Sequence, residues 1–244
     1  TFLQAEKQIW NNNSATYQNL YNQLHFYPLQ PYLDQKRLMT KIKLSSASEI
    51  NDFLIKYEGT PLDWPLRKKW LNYLAKRNKP LLFQRYFKAT SNVELTCQYY
   101  RFQLQTGVVP TRVLPKVSAL WLVGKSQPKV CDPLFKQWQK AGYRTNEMIW
   151  QRIVLSADGG KHTLIPYLTS LLPKKEQYLA ELWHKVRRNP AYVKRLAKFK
   201  HKNAKEAEIV AYGLKRLIWR TPQQALDTYV LAKSLLPFTT QQQQ

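Results

Sequence analysis

The sequence has 244 residues, 39 Lys and Arg against 15 Asp and Glu, and a formal net charge of +24. A hydrophobic content of 44% excludes a disordered polycation, and only 7 Gly with few β-branched runs disfavour a glycine-rich nucleotide fold or a turn-dense β-sandwich. The charge calls for a polyanionic or acidic partner without choosing among nucleic acid, anionic lipid and cell-wall polymer.

In chain order the pattern reads as helix after helix, near 2–11, 14–25, 29–43, 47–57, 63–77, 79–88, 92–106, 110–123, 131–141, 146–157, 161–171, 174–187, 190–199, 203–219 and 222–235. Leu66, Trp70 and Leu74 recur at one helix spacing. Leu179, Leu182, Trp183 and Val186 do the same, as do Val210, Leu214, Leu217 and Ile218. Each set places an apolar stripe on one face. Ser46 to Glu49 and Ser91 to Glu94 have capping-box spacing. Thr60-Pro61, Asn189-Pro190 and Thr221-Pro222 read as an N-cap followed by proline. Gly107, Gly124 and Gly142 stand where a left-handed helix end is wanted.

Short helices with shorter loops imply antiparallel neighbours stacked in series. The expected fold is therefore all-α, an α-superhelix or solenoid of short antiparallel helices with no sheet. A compact helical bundle is the alternative. No linker composition divides the chain, so one domain is expected over 1–240, followed by a glutamine tail at 241–244. The apolar run Val117–Val123 is far short of the roughly 20 residues a spanning helix needs. The start at Thr1, in a polar helical pattern, is expected of a processed mature chain.

Known chemical motifs are missing. His25, His162, His184 and His201 have no metal-ligand spacing, no CxxC occurs, and each reads as a structural or surface histidine. No metal, no cofactor and no catalytic residue is assigned. Gly159-Gly160-Lys161 is too short for a phosphate-binding loop and reads as an inter-helix turn. Glu206 with Glu208, and Glu176 with Glu181, lack the spacing of a paired acid and base and read as solvated helix faces. Tyr27, Tyr32, Tyr99, Tyr100 and Phe102 could stack on sugars or bases, but aromatics at helical spacing usually pack between helices.

The basic residues are concentrated. From residue 185 to 205 there are nine Lys and Arg and no acid: Lys185, Arg187, Arg188, Lys194, Arg195, Lys198, Lys200, Lys202 and Lys205. Two readings stand side by side, an electropositive surface for a polyanion and a solvated convex face with a turn near Lys200–Asn203. By count alone, Cys97 and Cys131 read as two buried thiols.

Two segments carry a specific resemblance. Tyr27 to Leu33 reads YPLQPYL; Leu120 to Trp138 reads LWLVGKSQPKVCDPLFKQW, with CQYY at 97–100 upstream. In order and spacing these resemble the N-terminal region of the soluble lytic murein transglycosylases of Gram-negative bacteria. The resemblance weakens after about residue 160.

The resemblance implies a U-shaped superhelix, closed into a ring by a linker domain. A lysozyme-like domain would then cut between N-acetylmuramic acid and N-acetylglucosamine, leaving a 1,6-anhydro end, with one Glu as acid then base and no cofactor. That Glu precedes a Ser in the family, and no Glu-Ser pair occurs here. The chain alone is thus expected to be catalytically inert. Its partners would be peptidoglycan, with its glycan strands and acidic stem peptides, and the parent's linker and catalytic domains. A periplasmic location follows, and with it a Cys97–Cys131 disulfide. The GKSQP segment is expected to serve packing and turn geometry, with direct glycan contact the lesser alternative. The rival reading is a helical-repeat module binding nucleic acid, for which the two matched segments offer no support; no nucleic acid is expected.

Overall fold

The computed structural model describes residues 1–243 and Gln244 lies outside them, so the expected tail is described only in part. Among the described residues the fold is all-α, with no strand. The α-helices are α1 Phe2–Lys7, α2 Ala15–Asn22, α3 Gln30–Thr40, α4 Ala47–Lys56, α5 Asp63–Lys76, α6 Pro80–Tyr86, α7 Val93–Gln105 and α8 Pro110–Trp121. Then follow α9 Asp132–Lys140, α10 Asn146–Ala157, α11 Ile165–Leu171, α12 Lys174–Arg188, α13 Ala204–Leu217, α14 Pro222–Leu235 and α15 Thr240–Gln243. Helices pack chiefly on sequence neighbours, as in α5 on α6, α6 on α7, α11 on α12 and α12 on α13.

Contacts group the chain into two units, Thr1–Val113 and Leu114–Gln244. The division falls within α8, which explains why no linker composition marks it.

In the first unit, Leu66, Trp70 and Leu74 of α5 are wholly buried and centre a cluster that includes Ile50, Phe83 and Phe102. Removing any of these leucines to the β-carbon would cost about 2–5 kcal/mol. Trp70 stacks on Tyr73 at 5.5 Å and meets Tyr86 edge-on at 5.9 Å. Arg67, on the same helix, is buried in a two-pronged pair with Asp63: Nε donates to Oδ1 at 2.5 Å and Nη2 to Oδ2 at 3.1 Å. Its Nη1 donates to the Tyr86 carbonyl at 2.9 Å, joining α5 to the end of α6. A smaller cluster of Ala5, Ile9, Tyr17, Leu24 and Leu33 holds α1–α3.

In the second unit, Trp183 of α12 meets Trp150 of α10 edge-on at 5.4 Å and Tyr212 of α13 at 5.3 Å. Gly213 lets α13 approach closely, because an added Cβ would lie 2.2 Å from Val193 Cγ1.

Several local expectations are corrected. The segment expected as a helix over 190–199 is two 3-10 turns, Pro190–Lys194 and Leu196–Lys198. Asn189 caps the first through its side chain, which accepts from the Ala191 amide at 3.1 Å. The segment before α11 is likewise a 3-10 turn, His162–Leu164. Ser46 makes no side-chain cap; Glu49 of that expected box pairs with Arg37 instead. At α7 the cap is Asn92 rather than Ser91, accepting from the Leu95 amide at 3.0 Å. Thr60 lies before the helix proper, which begins at Asp63. Ile218 falls just past α13 and is exposed, off the buried stripe.

Candidate functional site

The loop after α8 is built by two glycines in contact. Gly107 and Gly142 have the left-handed conformation expected of them, but Gly124 does not. Its role is close approach: a Cβ there would lie 2.3 Å from the Leu155 carbonyl oxygen, and one on Gly160 would lie 2.4 Å from the Gly124 oxygen. The Lys161 amide donates to the Gly124 carbonyl at 2.8 Å, so the two turns are locked backbone to backbone.

Arg152 of α10 completes the lock. It is buried, its Nε donates to Val123 O at 3.1 Å and its Nη2 to Lys125 O at 2.9 Å. The guanidinium lies 4.4 Å from the centre of the Trp121 ring. Burial holds its pKa below the ordinary guanidinium value, partly offset by Tyr167; the group stays cationic, since arginine does not lose its proton in proteins. Gln127 donates to the Leu120 carbonyl. Pro128 then leads through a 3-10 turn, Lys129–Cys131, into α9. Trp138 of α9 packs on Trp121 at 5.3 Å and donates from Nε1 to Ser118 Oγ at 3.1 Å.

Trp121, Gln127, Trp138 and Arg152 form part of the wall of a cleft of about 400 Å³. Trp121, Phe135 and Tyr167 give it apolar surface, and Lys136, Arg144 and Arg152 give it positive charge against the single carboxylate of Asp132. From its sequence this segment is expected to serve packing and turn geometry, with direct glycan contact the lesser alternative. The cleft is not legible there, because its contributors come from α8, α9, α10 and α11, which only the fold brings together.

The nine cations expected as a polyanion surface are distributed unevenly. Lys185, Arg188, Lys194, Arg195, Lys198, Lys200 and Lys202 are exposed; Arg187 and Lys205 are half-buried. Lys185 and Arg195 approach the Tyr192 ring at 6.0 and 5.5 Å. Lys185, Arg188, Tyr192 and His184 line a shallow cleft of about 550 Å³ with Glu181. Burial, then the neighbouring His162 and Arg188 charges, lower the His184 pKa. Lys194 donates to Gln224 Oε1 at 3.0 Å. Lys205 differs from the rest: it lies 3.7 Å from both Glu147 and Glu176 and 5.0 Å from the Trp150 ring centre.

Two carboxylates expected on solvated faces are not there. Glu206 is fully buried, accepting from the His201 amide at 3.3 Å and the Lys202 amide at 2.6 Å, which fixes the turn carrying Lys200 and Lys202. Glu208 accepts from Trp150 Nε1 at 3.0 Å, and burial raises its pKa. Among the aromatics, Phe102 is buried and Tyr99 stacks on Phe87 at 4.0 Å, whereas Tyr27 and Tyr32 are exposed. Cys97 and Cys131 are both wholly buried. Among the described residues no group of three or more His, Cys, Asp or Glu could hold a metal ion, and no helix is long and apolar enough to cross a membrane.

The chain is similar to the soluble lytic murein transglycosylase of Escherichia coli K12, 28% identical over 188 residues. It is 29% identical over 178 residues to that of Salmonella typhimurium. These alignments cover 75% and 71% of the chain but 29% and 27% of the relatives, so the chain spans less than a third of their length. Among solved structures, an inactive mutant of the lytic transglycosylase Slt from Pseudomonas aeruginosa matches with a TM-score of 0.84 at 33% identity, over 99% of this chain and 39% of that one. The 70 kDa soluble lytic transglycosylase of Escherichia coli matches in fold, with a TM-score of 0.76 at 22% identity, over the same shares. The family model that matches is described as cucumovirus coat protein, over residues 85–197. That stretch is under half of the chain, whereas the solved transglycosylases superpose on nearly all of it.

Proposed function

We propose that this chain, which is similar to the soluble lytic murein transglycosylases over part of their length, is a non-catalytic superhelical scaffold that offers a cationic surface to murein. The full-length protein would cleave the bond between N-acetylmuramic acid and N-acetylglucosamine in the periplasm, leaving 1,6-anhydro ends. The single observation that carries this reading is the match along 99% of the chain at 33% identity. The absence of a Glu-Ser pair from these residues supports the non-catalytic role.

The exposed cations from Lys185 to Lys202 supply the murein contact, because the stem peptides of murein carry carboxylates. Such attraction raises local concentration without base-like specificity and fades over a screening length of about 8–10 Å. A Cys97–Cys131 disulfide belongs to the same reading, as does docking to the linker and catalytic domains of the parent.

The test is co-sedimentation of the purified chain with sacculi over a range of salt. Binding at low salt that declines with salt is expected; none at low salt removes the murein contact and leaves the scaffold. Turbidity and anhydro-muropeptide release assays are expected to show no cleavage by this chain. Tight, base-dependent RNA shifts would favour the nucleic-acid module instead.

A further inference from the structure

We propose that the cleft beneath the Gly124–Pro128 loop is a carboxylate-binding site that takes the acidic end of a short peptide. Two arginines of the chain are equally buried yet differ in their partners. Arg67 and Arg152 are each 5% exposed. Arg67 has its charge matched by Asp63. Arg152 has two neutral carbonyls and a Trp face, and no carboxylate within ion-pair distance among the described residues. A buried charge is costly unless it is paired. An anion entering the cleft would supply the opposite charge that Arg152 lacks, meeting it away from the Nε and Nη2 edge that already donates to Val123 O and Lys125 O.

Holding the loop explains Arg152 by itself, but it does not explain its neighbours. Lys136 and Arg144 line the same cleft, and neither has an ion pair among the described residues. They come from different segments, α9 and the turn before α10, so their convergence is a product of the fold. Three cations against Asp132 leave the cleft positive, and the low-dielectric aromatic wall strengthens their field. Phe135 and Tyr167 offer apolar surface to the ligand's carbon atoms. The volume of about 400 Å³ suits a few residues of peptide and is at the small end of ligand sites.

The choice of peptide rests on the murein reading: the occupant is the γ-linked acidic stem peptide. This site is distinct from the exposed Lys185–Lys202 surface, which attracts by field alone. Here the fork of an arginine and a nearby second arginine can grip one carboxylate by charge-assisted hydrogen bonds.

The probe is the dipeptide L-alanyl-D-glutamate, with both glutamate carboxylates free, titrated against the full chain by calorimetry and by shifts of the indole N–H resonances. Its di-amide is the control. Saturable binding of the acid is expected, weakened by about tenfold or more in the di-amide and in the Lys136→Gln/Arg144→Gln double variant, the scale of one lost charge-assisted bond. Thermal melts establish that the double variant is folded. Equal binding of acid and di-amide, no binding, or an unchanged double variant overturns the site. Sacculi sedimentation run in parallel separates the two readings. Sacculi binding without dipeptide binding sinks the cleft alone. Dipeptide binding without sacculi binding upholds the cleft and sinks the murein reading.

Discussion

Gly124 and Lys161 are joined by a single 2.8 Å backbone hydrogen bond, and the geometry around it tolerates no side chain at Gly124 or Gly160. An alanine at either position puts its methyl against backbone, which cannot swing aside as a flexible side chain would. Gly124→Ala and Gly160→Ala are each expected to cost about 1–3 kcal/mol, the range for overpacking. Because both would open the same joint, the double variant should cost less than the sum. Urea denaturation of the four proteins checks this; full additivity would mean that the two turns are independent.

The Asp63–Arg67 pair gives a second expectation. Arg67→Leu leaves a buried carboxylate without its partner, and breaking such a pair typically costs about 3–5 kcal/mol. Lys88, 3.7 Å from Asp63, offsets only part of that loss. Replacing both residues by leucine removes the stranded charge, so the double variant should be more stable than Arg67→Leu. Chemical denaturation of both variants measures the order; the reverse order would refute it.

Two titrations should tilt stability in opposite senses. Burial, reinforced by His162 and Arg188, lowers His184. The unfolded chain then binds the proton more readily, so stability is lost as pH falls from the ordinary imidazole value through the lowered one. Burial raises Glu208 against the opposing Trp150 hydrogen bond. The folded chain binds that proton more readily, so stability is lost as pH rises from the ordinary carboxylate value through the raised one. Melting temperature against pH should therefore lose its acid-side fall in His184→Asn and its decline above the carboxylate range in Glu208→Gln. Profiles parallel to the parent protein's would contradict both assignments.

For the cationic surface, Lys185→Gln/Arg188→Gln should weaken sacculi binding at low salt and flatten its salt dependence. Lys205→Gln should matter less to binding, because Glu147 and Glu176 already face that ammonium. A Lys205 effect equal to that of the double variant would show that field strength alone counts.

The proposed Cys97–Cys131 disulfide predicts that the denatured, unreduced protein takes up no alkylating reagent and gains two adducts after reduction. Its loss should cost about 3–4 kcal/mol in the chain-entropy account of cross-links. Alkylation without reduction would exclude the bridge.

Much of the helical order was legible in the sequence, because burial on one face writes itself as spacing. Leu66, Trp70 and Leu74 are as deeply buried as their periodicity requires. The segment after Pro190 was not legible: its apolar residues fit a helix, but local turns and the close seat of Val193 on Gly213 win. Capping was misread by one residue at α7, since Ser91 and Asn92 are both good caps and spacing does not choose between them. The cationic run was plain as composition, yet Lys205 is engaged by acids 58 and 29 positions away in the chain. Arg152 was invisible for the same reason: its partners lie 27 and 29 positions away. Glu206 is different, since it is held by the amides of His201 and Lys202 at the capping-box spacing of Asn203 to Glu206.

The packing of each helix on its sequence neighbours has a kinetic consequence. Contacts close mostly short loops, so little chain entropy is lost before each is rewarded, and folding should be quick for a protein of this length. Serial packing also keeps injury local: a helix loosened at one point releases its immediate neighbours while distant ones keep their amide protection.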